Sequence, residues 1–186
     1  MSGASHVYMV ERDPIVSCLL NDAIRRLNLL ASPSSADLLD KHDAELAVSL
    51  SERLTLIIDN GKNVALKMSK NNNELDGNSQ QRPDVVYLDP MFPPRKKSAA
   101  VKKNMQILHG LLQTQQQQKQ TDDQSLLEEE YELLEASIRA AKSRVIVKRP
   151  IGASPLGDGV VNDASSFRQP SYSVCGSVNR WDVYLK

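Results

Sequence analysis

Short apolar runs alternate with amphipathic segments along this chain of 186 residues. Runs with the length and the β-branched or aromatic content of buried strands lie at 6–10, 54–58, 84–88, 145–147 and 181–185. Between them, apolar residues recur every three or four positions, which is the period of a helix that packs on one side. This alternation predicts an α/β fold with a largely parallel sheet and helices on both faces.

Caps and apolar periodicity place the helices. Asp13-Pro14 combines an N-cap acid with proline at the first helical position. The core face of this helix is predicted to consist of Ile15, Leu19, Ala23 and Leu27. Further helices are predicted over 44–51, from Ser98 to about 112, and from about 125 to 141.

The remaining stretches are predicted to be irregular. Those near 70–82 and 113–124 are rich in Asn, Gln and Ser, and are expected to be solvated insertions in a single domain that spans 1–186. The segment 151–172 contains glycines, serines and prolines, and is predicted to be a long loop.

Composition excludes few functions. Acidic and basic residues are equal in number, so any nucleic-acid surface must be local. Cys18 and Cys175 are too few for a disulfide framework, and the three histidines lack metal-ligand spacing, so no metal is expected. No apolar run approaches the roughly 20 residues of a membrane span. The amino-terminal residues do not resemble a secretory signal, and a cytoplasmic protein is expected.

The strand Val85–Leu88 ends in the most informative motif of the chain. It is followed by Asp89, by Pro90 and by an aromatic residue, Phe92. Proline fixes φ and lacks an N–H, so the ladder cannot continue and the backbone is rigid. The carboxyl ends of strands in α/β sheets are where ligands bind. A carboxylate acceptor beside an aromatic face suits an exocyclic amine. The alternative, an ordinary strand before a proline turn, stays open on spacing alone.

Two other strand ends carry similar side chains. Glu11 lies where nucleotide-binding α/β folds hold ribose hydroxyls, although it is equally an exposed acid before a helix. Asp59-Asn60-Gly61 follows the next strand and either contacts an adenine or makes a turn. Together with Asp89, these residues predict a nucleoside site at the carboxyl edge of one sheet.

The chain resembles the S-adenosylmethionine-dependent methyltransferases and, more narrowly, the bacterial small-subunit ribosomal RNA guanine-N2 methyltransferases called RsmJ. The resemblance rests on the segments 7–14, 85–93, 98–103, 145–150 and 180–184. It implies a Rossmann-like class I methyltransferase sheet and S-adenosyl-L-methionine as the cofactor. The implied reaction is methylation of the N2 amine of a guanine in small-subunit ribosomal RNA, free or in the ribosomal subunit.

The resemblance also implies functions for individual residues. Glu11 and Arg12 would contact the ribose region of the cofactor, and Asn60 and Gly61 would lie by the adenine. Asp89 would sit where the cofactor and the target amine meet.

The residue types at and after Pro90 suit an RNA target. Pro90 would keep the turn rigid, and Phe92 would stack the extruded base. A basic cluster would bind phosphates, and consists of Arg95, Lys96, Lys97, Lys102 and Lys103. The alternative for this cluster is a solvated helix start.

One departure from the family is clear. These enzymes begin with a strand and a glycine-rich turn, and this sequence contains no such segment. We therefore expect the sheet to lack its central strand, between those ending at Glu11 and Asp89, and we expect an amino-terminally truncated enzyme.

Two other functions stay open. One is a non-catalytic, RNA-binding remnant of such an enzyme, which cofactor binding would distinguish. The other is a dinucleotide-dependent oxidoreductase, which would also use Glu11 on a ribose. The Asp89 motif argues against it, because hydride transfer needs no amine acceptor there.

Overall fold

The computed structural model describes residues 3–32, 40–70, 82–90, 123–158, 160 and 168–186. The chain divides into two compact units, Met1–Val64 and Ala65–Lys186. In the described parts, no helix has both the length and the apolar character that crossing a membrane requires.

The described elements form two sheets. In chain order the elements are β1 (Val7–Glu11), α1 (Pro14–Leu30), α2 (Lys41–Arg53), β2 (Leu54–Ile58), α3 (Gly61–Lys70), β3 (Val85–Leu88), α4 (Asp123–Ala140), β4 (Arg144–Pro150), β5 (Tyr172–Cys175) and β6 (Asn179–Leu185). One sheet is the parallel pair β1-β2, and the other has the order β3-β4-β6-β5. Within the second described sheet, β3-β4 is the parallel pair and the other two pairs are antiparallel. The predicted α/β class is thus confirmed, but the described sheets are mixed rather than largely parallel: two described strand pairs are parallel and two are antiparallel, because hydrophobic runs do not specify strand direction.

In the first unit, β1 and β2 pair in register from Val7 with Leu54 to Glu11 with Ile58. The two strands therefore end level with each other. Helix α1 begins after Asp13, whose Oδ1 accepts hydrogen bonds from the Ile15 N–H at 2.8 Å and the Val16 N–H at 3.0 Å. The predicted N-cap is confirmed.

The predicted core face of α1 is partly wrong. Leu19 is 58% exposed and Ala23 is also exposed, whereas Ser17 is buried. A repeat of four residues rotates about 40° per step around a helix of 3.6 residues per turn, so such a row cannot stay on one face. The less exposed apolar positions follow spacings of four and three, at Val16, Leu20, Ile24 and Leu27.

In the second unit, α4 packs on the sheet and forms the core. The buried cluster comprises Leu134, Ile138, Ala141, Val145, Val147, Leu156 and Tyr184, with Val86 and Leu88 against it. The predicted helix at 125–141 is thus confirmed, and its residues Leu134 and Ile138 are buried in this core.

Two cationic side chains close the carboxyl end of α4. The Arg82 guanidinium donates to the carbonyls of Arg139 at 2.8 Å and Ala140 at 3.1 Å. The Lys186 ammonium donates to the carbonyl of Ala141 at 2.9 Å. These hydrogen bonds satisfy carbonyls that a helix end leaves without partners, and place positive charge at the negative pole of the helix dipole.

Other elements were not predicted, or were predicted in parts of the chain that the structure does not describe. Helix α3 and strand β5 were not predicted, and β5 begins at Tyr172, the last residue of the predicted loop at 151–172. The helix predicted from Ser98 and both polar insertions lie wholly or largely outside the described residues. The single domain and the missing central strand stay predictions.

A buried carboxylate joins the antiparallel strands β5 and β6. Asp182 is 0% exposed. It accepts hydrogen bonds from the Ser173 hydroxyl at 2.6 Å and from the Arg180 Nε at 2.8 Å and Nη2 at 3.1 Å. A fully buried charge needs such partners, because desolvation otherwise outweighs its interactions.

We predict that Asp182→Ala lowers the free energy of unfolding by about 3–5 kcal/mol, because the Arg180 guanidinium is left without its buried counter-charge. Ser173→Ala, which removes a neutral donor from the same carboxylate, should cost only about 1 kcal/mol. Urea denaturation followed by circular dichroism measures both. Equal decreases in the two variants would contradict the prediction.

Candidate functional site

The carboxyl end of β1 is built around Glu11. Its Oε1 accepts a hydrogen bond from the backbone N–H of Asp13 at 2.7 Å, which fixes the carboxylate across the turn into α1. Glu11 is half-buried and Arg12, beside it, is exposed. A carboxylate has about four acceptor positions, so this hydrogen bond leaves capacity for the two hydroxyls of a ribose.

The carboxyl end of β2 lies beside it. Because Glu11 pairs with Ile58, Asp59 and Asn60 follow at the same edge of the sheet, on the adjacent strand. Asn60 caps α3: its Oδ1 accepts from the Lys62 N–H at 2.9 Å, and its own N–H donates to Asp59 Oδ1 at 2.7 Å. With its oxygen used in the cap, the Asn60 amide presents its NH₂ group as a donor.

These two strand ends fit an adenosine. Adjacent strands are about 4.8 Å apart, so a ribose held at Glu11 puts an attached base within reach of Asn60 and Gly61. The edge offers carboxylate acceptors for hydroxyls and an amide donor for a ring nitrogen. The structure therefore brings together four of the predicted cofactor residues, Glu11, Arg12, Asn60 and Gly61, within the first unit.

In the second unit, Asp89 is held by a lysine. Leu88 pairs with Val147, so Asp89 lies beside Lys148 on β4. The Lys148 ammonium donates to Asp89 Oδ2 at 2.8 Å. The side chains are 47% exposed for Asp89 and 33% exposed for Lys148, so the pair is open to a ligand.

The hydrogen bond to Asp89 is the main cause that raises the pKa of Lys148 above its ordinary value, and burial acts against it. Its folded-state pKa is raised, so the stabilisation is present at neutral pH and disappears only as pH rises through the lysine pKa. Lys148 is therefore a permanent cation beside Asp89 under physiological conditions.

The ion pair of Lys148 with Asp89 was not predicted from the sequence. Lys148 lies in the segment 145–150, one of those that resemble the family, but the sequence alone does not single it out. The signal lay in strand register: each apolar run is followed by a charged residue, Asp89 after Leu88 and Lys148 after Val147, and pairing the two runs in parallel puts these two residues side by side.

The neighbouring residue, Arg149, points the other way and is buried. Its Nη1 lies 3.8 Å from Glu130 Oε2 on α4, and its Nε donates to the Ser154 carbonyl at 2.9 Å. Burial raises the pKa of Glu130 and lowers the pKa of Arg149 despite this pairing. Both shifts have desolvation as their largest cause, so this pair holds the loop after β4 in place at an electrostatic cost.

The other predicted site residues are only partly described. Pro90 follows Asp89 and is half-buried. Phe92 and the basic cluster of Arg95, Lys96, Lys97, Lys102 and Lys103 lie outside the described residues. Among the described side chains, no group of three or more His, Cys, Asp or Glu residues is arranged to hold a metal.

Comparison with known proteins gives the class of this fold. A family model described as "Putative SAM-dependent methyltransferase" matches residues 2–186. The crystal structure of a SAM-dependent methyltransferase from Neisseria gonorrhoeae is similar, with a TM-score of 0.56 at 27% identity over 96% of this chain and 52% of that one. The chain belongs to the SAM-dependent methyltransferase family.

The names of the curated relatives specify the RNA on which those proteins act. Proteins named "Ribosomal RNA small subunit methyltransferase J" are 34% identical over 179 residues in Thioalkalivibrio sulfidiphilus and 37% identical over 179 residues in Pseudoalteromonas atlantica. These alignments cover 96% of this chain but 53% and 54% of the relatives. The chain thus spans about half the length of the curated relatives it matches.

Proposed function

We propose that this protein transfers the methyl group of S-adenosylmethionine to the N2 amine of a guanine in small-subunit ribosomal RNA. The observation that carries the proposal is the Asp89 carboxylate, held at a rigid strand end and open to a ligand. Family membership supports the cofactor, and the names of the curated relatives support the RNA substrate.

The cofactor would be held through its adenosine. Glu11 accepts from the ribose hydroxyls, with Arg12 alongside, and Asn60 and Gly61 lie by the adenine. Bound S-adenosylmethionine supplies a methyl group that is already activated by the positive charge on sulfur. The protein therefore needs mainly to align the amine and exclude water.

Asp89 would act on the amine itself. The guanine N2 nitrogen is a weak nucleophile because its lone pair is delocalised into the ring. A carboxylate that accepts its N–H orients the nitrogen and increases its electron density. The nitrogen lone pair forms the new N–C bond while the C–S bond breaks with its electrons staying on sulfur, and the surplus N–H proton passes to Asp89 or water.

The segment after Asp89 would bind the RNA around the target. Pro90 keeps the turn rigid, and Phe92 stacks the extruded base. Arg95, Lys96, Lys97, Lys102 and Lys103 bind the surrounding phosphates. This basic cluster accounts for RNA binding by a chain whose net charge is zero.

The proposal is tested first at Asp89. Asp89→Asn keeps the size of the side chain but removes its charge, so the rate of tritiated methyl transfer to small-subunit ribosomal RNA should fall about 100- to 10,000-fold. Asp89→Ala should abolish transfer. Neither change should lower the melting temperature much, since the side chain is half-exposed.

A matched control is Asp84→Ala, at the other end of β3, where the carboxylate lies 3.5 Å from Lys142. Its activity should stay near that of the unmodified protein. Near-normal turnover by the Asp89 variants would remove Asp89 from the site.

Glu11→Gln should weaken S-adenosylmethionine binding, measured by calorimetry, by about 10-fold or more, because a charged acceptor for the ribose becomes neutral. Gln still accepts from the Asp13 N–H, so the turn into α1 should persist. Glu45→Gln, an exposed site on α2, is the control. An unchanged dissociation constant for the Glu11 variant would contradict the cofactor assignment.

Replacing Arg95, Lys96 and Lys97 with alanine should flatten the salt dependence of RNA binding by about 0.7–0.9 log unit for each phosphate that is no longer bound. Cofactor affinity should hardly change. The control replaces Arg25 and Arg26, which are exposed on α1 and pair with Asp22. A salt slope equal to that of the control would show that the three residues are only a solvated surface.

A further inference from the structure

The ion pair of Asp89 and Lys148 presents a cationic donor beside the carboxylate acceptor. It places an acceptor and a cationic donor 2.8 Å apart at the ends of two adjacent strands. Both side chains are partly exposed, and an ammonium group has three donors, of which Asp89 uses one. The pair can therefore accept and donate side by side to the same ligand.

A guanine has the complementary edge. Its N2 and N1 carry hydrogens, and the neighbouring O6 is an acceptor, so the edge presents donors next to an acceptor. Adenine has the opposite order there, with an acceptor at N1 and an amine at position 6. Enzymes that act on an extruded base recognise it by hydrogen bonds to this edge.

We propose that Lys148 donates to O6 of the target guanine while Asp89 accepts from its N1 and N2 hydrogens, which makes Lys148 a specificity-determining residue. This inference rests on the proposed function. Methyl transfer assisted by the Asp89 carboxylate does not by itself require Lys148. Lys148 serves instead to recognise the base.

Strand geometry supports the assignment. Alternation along β4 turns Lys148 and Arg149 to opposite faces, and Arg149 is buried against Glu130. Lys148 is thus the cation of this strand end that faces Asp89.

The test uses equilibrium binding, which needs no methyl transfer. The probes are fluorescent oligouridylates with one central guanine, 6-thioguanine or adenine, and binding is followed by anisotropy. In 6-thioguanine the N1 and N2 hydrogens remain, but sulfur replaces the O6 acceptor and accepts hydrogen bonds poorly. The full chain should bind the guanine probe roughly 10-fold more tightly than the 6-thioguanine probe.

Lys148→Met should bind these two probes equally, to within about twofold. Lys148→Arg, which keeps a cationic donor, should retain most of the preference. Lys148→Met should still reject adenine, since the Asp89 carboxylate remains. A purely structural function of Lys148 would not produce this probe-dependent pattern, and melting temperatures establish that both variants fold.

The outcomes separate the two proposals. The inference is overturned if the preference for guanine over 6-thioguanine is absent, or is the same in the chain and in Lys148→Met. A Lys148-dependent preference in a chain that transfers no methyl group would instead support the recognition site and count against the proposed function.

Discussion

The pairing of β3 with β4 is the interaction on which the candidate chemistry of the second unit depends. Leu88 opposite Val147 puts Asp89 beside Lys148 at 2.8 Å, and the same register turns Val145 and Val147 into the core under α4. A slip of one residue would exchange the two faces of the strand, exposing the valines and removing the lysine. Core packing therefore constrains the site, because burial of those valines excludes any slip of β4 by an odd number of residues.

Alternation along β4 also explains why two adjacent cations behave oppositely. Lys148 faces solvent, and the hydrogen bond to Asp89 raises its pKa. Arg149 faces α4, and burial lowers its pKa even though Glu130 lies nearby. The first cation is available to a ligand, whereas the second is committed to holding the loop after β4.

Local features were predictable from the sequence, and features set by pairing were not. The bounds of β2 and the Asp13 cap follow from neighbouring residues, and both are confirmed. Strand β5 has all four residues exposed, so it has no buried run to detect. Lys148 was missed because its partner is 59 residues away, and no periodicity reports such a pairing. Leu19 was misplaced because a four-residue spacing only approximates a helical face.

The strand ends share one physical property, which is that their polar side chains are held before any ligand arrives. Glu11 is fixed by the Asp13 N–H, Asn60 by the Lys62 N–H, and Asp89 by Lys148. Side chains already fixed give up less conformational entropy on binding, so more of each new hydrogen bond contributes to affinity. Two of these interactions are backbone hydrogen bonds at helix starts, so folding of α1 and α3 itself positions the acceptor and the amide. The Asp89 interaction is instead an ion pair between two side chains. A base that forms hydrogen bonds to both side chains at once leaves their opposite charges close together.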